Sequence, residues 1–151
     1  MENNFEKYKR FRPVWLVLAV LWSFFIWSNS LHTAAESSGQ SLGLMELLAP
    51  ILDLIPLSHD VLHVIIRKLG HFTEFGVLGV LWSAALLGKG RRRPLLAWGL
   101  CIGVACCDEF IQLFVPGRAG MLMDVGIDSA GAGLAALVCW GIFRLYTRKR
   151  A

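Results

Sequence analysis

Twelve of the 15 Lys and Arg residues fall in three short clusters that separate four long apolar stretches, an arrangement that suits a chain crossing a membrane repeatedly. The clusters are Lys7, Lys9, Arg10 and Arg12; then Lys89, Arg91, Arg92 and Arg93; then Arg144, Arg148, Lys149 and Arg150. Loops rich in Lys and Arg stay on the cytoplasmic side, so an even number of spans must separate each pair of clusters. Arg67, Lys68 and Arg118 remain, and all three lie in segments that this topology sends outside. The acids have the opposite bias, since of eleven only Glu2 and Glu6 fall in an inner segment. A hydrophobic content of 56% agrees, being above the roughly 45–50% of soluble domains. The net charge of +4 does not point to nucleic acid, because the basic residues flank apolar spans and build no soluble basic face. They act as topology signals with some attraction to anionic lipid head groups.

The expected fold is therefore all-α: one polytopic membrane domain, 1–151, with four transmembrane helices and both termini cytoplasmic. The first span, 13–30, is apolar with bulky aromatics and no small-x-small site close behind it, so it reads as a retained helix rather than a cleaved signal. Two of its residues Trp15, Trp22 and Trp27 can sit at the membrane interfaces. The others are 70–88, 94–115 and 121–143, the third with Pro94 in its first turn, where proline is tolerated. The outer segment 31–69 differs in character. Its polar stretch 32–41 reads as a loop. The apolar stretch 42–57 carries Glu46 and Asp53 seven apart and reads as a helix on the outer surface, closing the bundle. A further helical stretch from Asp60 leads into the second span.

All four cysteines, Cys101, Cys106, Cys107 and Cys139, lie inside expected spans and form no external disulfide framework. Gly131, Gly133 and Gly141 fit close helix contact better than ligand binding. His59 and His63 have metal-helix spacing, but Arg67 follows at the next i+4 position and an interfacial polar face is the better reading.

The chemistry lies in polar residues at one depth on three spans. At 1.5 Å rise per residue, Glu74 stands roughly 22 Å above Lys89, Asp108 roughly 22 Å above Arg93, and Asp128 roughly 24 Å above Arg144. His71, Glu109, Gln112 and Asp124 fall within several ångströms of that level, in the outer third of a hydrocarbon core about 30 Å thick. Phase agrees with depth: Lys68, His71 and Glu74 share one helical face, as do Asp108 and Gln112, and Asp124 and Asp128. Charges facing lipid cost at least about 2.5–3.5 kcal/mol on insertion scales, so the stripes should face one another or water. Interhelical ion pairing is the bland alternative.

The run from Arg67 to Phe75 (RKLGHFTEF), followed by Asp108-Glu109-x-x-Gln112, Arg118, Asp124-Val125-x-x-Asp128 and Gly131, resembles the VanZ-like family of small bacterial membrane proteins. That family takes its name from a member that gives low-level resistance to the glycopeptide teicoplanin. The resemblance implies a multi-pass protein of the bacterial cytoplasmic membrane. It also implies that Lys68, His71, Glu74, Asp108, Glu109, Gln112, Arg118, Asp124 and Asp128 are the signature polar positions, with Asn serving at 128 about as readily as Asp. The serines and Asn29 at the end of the first span fit the family's Ser-rich exit from that helix. The resemblance supplies a phenotype and no established reaction.

Three functions remain open. An outward-facing pocket could bind or remodel the head group of an amphiphile, a lipid-linked cell-wall precursor or a lipoglycopeptide, with Arg118 and Lys68 holding phosphate or carboxylate. Alternatively, His71, Glu74, Asp108, Glu109 and Asp128 could hold a divalent cation or act as acid and base in a membrane-embedded hydrolase or transferase. One His among several carboxylates suits Mg or Mn better than Zn. Proton or cation transport is the third, but the inner halves of spans two to four carry no ionisable group apart from cysteines, so no relay reaches the cytoplasm.

Overall fold

The structure is a computed structural model that describes residues 4–86 and 93–148, with side chains from residue 11 onward. Lys7, Lys9, Arg10, Lys89, Arg91, Arg92, Lys149 and Arg150 therefore lie outside the described side chains. Five helices follow in order: α1 Asn4–Ser30, α2 Ala34–Leu52, α3 His59–Ala85, α4 Arg93–Gln112 and α5 Leu122–Arg148. Among the described residues three stretches are long and apolar enough to cross a membrane, Phe11–Ser30, Arg93–Gln112 and Leu122–Arg148. The 27 residues of α3 are long enough as well, but Arg67, Lys68, His71 and Glu74 dilute its apolar surface. It compensates by packing centrally, against α1, α2, α4 and α5.

Interhelical hydrogen bonds give the directions. At one end, Arg12 Nε donates to the Ala85 carbonyl at 3.0 Å and an Arg93 guanidinium nitrogen donates to the Leu86 carbonyl at 2.8 Å. Both arginines thus serve C-terminal carbonyls of α3 that have no partner within the helix. Toward the other end, Ser30 of α1 meets Asp108 of α4 and Lys68 of α3 meets Asp124 of α5. The helices α1 and α4 therefore run antiparallel to α3 and α5.

The closest pair is α3 with α5, and small residues allow it. A methyl group on Gly79 would stand 2.6 Å from the Ala132 carbonyl oxygen, and one on Gly131 would run into the Phe72 carbonyl oxygen. Such close backbone approach is how helices associate in lipid, where apolar burial alone gives little drive. Gly133 faces the Trp98 indole, its absent methyl 3.0 Å from Nε1, whereas Gly141 has nothing within 4 Å and marks no contact, contrary to expectation. Ile26, Phe75, Leu78, Cys101, Val104, Ala105 and Ala132 form the core. Trp22 and Trp27 pack against it rather than both marking interfaces, their Nε1 atoms donating to the carbonyls of Glu74 and Val104 at 3.0 and 3.2 Å.

The stretch 32–41 is not a loop. Thr33 accepts from the Glu36 amide while the Glu36 carboxylate accepts from the Thr33 amide at 2.8 Å, a capping box that starts α2 at Ala34. The Thr-x-x-Glu signal at 33–36 outweighs the polarity of residues 37–41. The helix expected over 42–57 ends earlier, at Leu52, after Pro50, and turns occupy the residues up to Pro56. Likewise α4 stops at Gln112, not Val115, because Phe114 and Val115 bond back to Ile111 and Gln112 in turns ahead of Pro116. Gly117, at φ 75°, lets the α4–α5 connection bend against the start of α2, where the Ala34 amide donates to the Pro116 carbonyl at 3.4 Å.

Candidate functional site

Four helices converge at the end of the bundle away from Arg12 and Arg93. On α4, Asp108 is fully buried. Ser30 Oγ of α1 donates to its Oδ1 at 2.6 Å and Gln112 Nε2, one turn along, donates to its Oδ2 at 3.0 Å. The i, i+4 spacing of Asp108 and Gln112 makes the second bond local. The next residue, Glu109, turns toward the α4–α5 connection, and its Oε2 accepts from the Met121 amide at 2.7 Å, just ahead of α5. Gly120 allows that turn to close, since a methyl there would stand 2.5 Å from the Glu109 carbonyl oxygen.

On α3 the three stripe residues face different partners. Lys68 Nζ pairs with Asp124 Oδ1 at 2.6 Å. Glu74 Oε1 accepts from Asn29 Nδ2 of α1 at 3.2 Å. Between them, His71 Nδ1 lies 3.7 Å from Asp128 Oδ1, too far for a hydrogen bond. Asp128 is fully buried, and neither of its oxygens has a hydrogen-bond partner among the described residues.

Beside this cluster lies a cavity of about 240 Å³. Its polar wall includes Asn29, Ser37, Gln40, Arg67, Glu74 and Arg118, and Ile26, Leu44 and Ile66 supply apolar surface. From α2 the lining residues are Ser37, Gln40, Ser41 and Leu44, so the helix closes the pocket mainly with its polar first half, and of the expected closing stretch 42–57 only Leu44 is among the lining residues. Burial, and next the like charge of Arg67, pull the Arg118 guanidinium below its ordinary value, against Asp108 and Glu109, which raise it. It stays cationic all the same. Among the described residues neither Arg67 nor Arg118 forms an ion pair.

All nine signature positions thus lie at one end of the bundle, in distinct settings. His71, Glu74 and Arg118 face the cavity; Asp108 and Asp128 lie behind it; Gln112 braces Asp108; Glu109 is bound to the connection; Lys68 and Asp124 satisfy each other. His59 is exposed and His63 half-buried, and neither joins the cluster. The polar contributions of α1 and α2, Ser30 with Asn29, Ser37, Gln40 and Ser41, are the part that reading spans two to four as the site leaves out. The serine and asparagine closing α1 were the available signal.

A sequence model of the VanZ/LLP1 family matches residues 14–144. The chain belongs to the VanZ/LLP1 family. That stretch spans most of α1 and all of α2, α3 and α4, and it includes every residue of the cavity and the buried cluster. Neither the curated proteins nor the solved structures offer a match to this VanZ/LLP1 chain.

Proposed function

We propose that this VanZ/LLP1 protein spans the bacterial cytoplasmic membrane four times, with α3 as the second span and both termini inside. Its cavity then opens at the outer face and binds the anionic head group of an amphiphile or lipid-linked cell-wall precursor. The observation that supports this reading is the cavity of about 240 Å³, with two guanidiniums that lack ion pairs among the described residues, several hydroxyl and amide groups, and an apolar side. Guanidinium recognises phosphate or carboxylate by paired donors. Ser37, Gln40, Ser41 and Asn29 suit sugar or peptide hydroxyls and amides, and Ile26, Leu44 and Ile66 suit the start of a lipid tail. Lys68, engaged by Asp124, gives its anion-holding place to Arg67. The alternating helix directions, with Arg12 and Arg93 at the opposite end, fit the positive-inside rule. A protein that captures such head groups would also interfere with a lipid-tailed glycopeptide acting at that surface, which is where a link to teicoplanin resistance would arise.

Nanodiscs holding the protein, titrated in EDTA with a lipid-linked disaccharide-peptide diphosphate and with a zwitterionic phospholipid as reference, test the reading. Saturable binding of the diphosphate that weakens in Arg67→Gln and Arg118→Gln supports it, and equal uptake of both lipids by wild type and variants refutes it. The resistance arm is read separately, as teicoplanin against vancomycin susceptibility in a Gram-positive host expressing wild type, Glu74→Gln or Asp108→Asn at matched levels. A second reading, a hydrolase or transferase on the same lipid-linked substrates, is favoured by one observation, the close approach of His71, Asp108 and Asp128 behind the cavity.

A further inference from the structure

Three polar atoms in the bundle interior are left without partners among the described residues at one place: both carboxylate oxygens of Asp128 and Nδ1 of His71. Asp128 has no exposed surface, and neither has Asp108 beside it. One ligand atom from each of His71, Asp108 and Asp128 lies within 4.8 Å of the others. Among the described residues neither aspartate forms an ion pair with a Lys or Arg. Two adjacent buried carboxylates that lack a cation are costly, and buried polar groups ordinarily find partners.

We propose that His71 Nδ1, Asp108 and Asp128 bind a divalent cation of the Mg²⁺ or Mn²⁺ type at the inner wall of the cavity. The two carboxylates balance its charge, and His71 Nδ1 and an oxygen of Asp128, both otherwise unpartnered among the described residues, become ligands beside one oxygen of Asp108. Two ligands on one cation at about 2.0–2.1 Å each stand about 3–4 Å apart, and His71 Nδ1 and Asp128 Oδ1 are already 3.7 Å apart. Ser30 and Gln112, donating to Oδ1 and Oδ2 of Asp108, hold that ligand in place, as outer partners do at metal sites. One imidazole with two carboxylates is a hard, oxygen-rich set suited to these ions. Three protein ligands leave further positions for water or a ligand oxygen. Because His71 and Ser30 also line the cavity, the cation deepens the head-group reading, on which this last step rests: a phosphate oxygen would complete its coordination while Arg67 and Arg118 hold the rest of the group.

The test uses the full-length protein in detergent, stripped with EDTA, dialysed, and titrated with Mn²⁺ alone, with free Mn²⁺ read by electron paramagnetic resonance. The expected result is one saturable Mn²⁺ per chain, displaced by Mg²⁺, with a nitrogen modulation in the spin-echo decay from imidazole. Outer partners of metal ligands are worth about 10- to 100-fold in affinity, so losing a ligand itself in Asp108→Asn or Asp128→Ala should weaken binding at least that much. His71→Phe should abolish the nitrogen signal, and Glu46→Gln, at an exposed carboxylate of α2, should bind as wild type does. Should a variant fail to fold, the wild-type nitrogen signature alone decides. Absence of saturable Mn²⁺, binding that all four variants retain, or binding without nitrogen coupling overturns the proposal. Head-group binding, measured in EDTA, reports on the cavity independently of this result.

Discussion

Removing the carboxylate of Asp128 should stabilise the protein while abolishing its metal response. Both oxygens are buried without a partner among the described residues, and His71 Nδ1 beside them is likewise unpartnered. A buried polar group left unsatisfied costs about 1–3 kcal/mol, and more when charged. Asp128→Ala relieves that cost for both oxygens, and the vacated space, about that of one water, lets a water reach His71 Nδ1. Against this stands only the packing of a single carboxylate. A net gain of about 1–3 kcal/mol corresponds to a Tm rise of about 2–12 °C for a chain of this size. The assay is thermal unfolding in detergent with EDTA, followed by tryptophan fluorescence, with Phe75→Ala as the packing reference. Phe75 is fully buried in the core, and such truncations lose about 3–5 kcal/mol. Added Mn²⁺ should raise the Tm of wild type and leave that of Asp128→Ala unchanged. A fall in Tm for Asp128→Ala in EDTA, toward that of Phe75→Ala, would refute the reasoning by showing the carboxylate to be structural.

Gly131→Ala should separate α3 from α5 at Phe72 and cost about 1–3 kcal/mol by overpacking, seen as a lower Tm; an unchanged Tm would mean that the helices do not approach so closely. Lys68→Met should cost about 1 kcal/mol or less, shrinking further in high salt, because the pair with Asp124 is only partly buried; a double-mutant cycle with Asp124→Asn measures the coupling. The Thr33 backbone amide, and then its hydroxyl, hold the exposed Glu36 carboxyl below 4.5, so its contribution to α2 is complete above that pH and is lost as pH falls through the lower folded value. Protection of the Thr33 and Ser37 amides against hydrogen exchange, taken relative to their intrinsic rates at each pH, should accordingly fall in acid, and Glu36→Gln should remove that pH dependence.

The apolar periods and the basic clusters made the long helices legible in the sequence, and depth counting along the chain brought Glu74, Asp108 and Asp128 to one level. What it could not supply was partnership. Counting from an anchor locates a residue along its own axis but says nothing of rotation against a neighbour, so Lys68–Asp124 and Glu109–Met121 emerge only from the packed bundle. The outer segment misled for a local reason: the serines and glycine of 34–41 look like a loop unless the capping box of Thr33 and Glu36 is weighed first. Two of Trp15, Trp22 and Trp27 read as interface markers because ring size and amphipathic character are visible in a sequence, whereas the helix carbonyls that Trp22 and Trp27 reach are not. The helix α3 is less apolar than the three candidate spans because it carries Arg67, Lys68, His71 and Glu74, and that these are half-buried against its neighbours is a tertiary fact.

The proposed capture of head groups at the outer membrane face requires the cavity to face outward. Single cysteines at Gln40, on the cavity wall, and at Arg148, at the far end of α5, can be introduced after replacing Cys101, Cys106, Cys107 and Cys139 with Ala, and intact cells treated with a membrane-impermeant maleimide. An outward cavity predicts labelling of Gln40→Cys in intact cells and of Arg148→Cys only after permeabilisation. Labelling of Arg148→Cys from outside, with Gln40→Cys protected until the cells are opened, would contradict it.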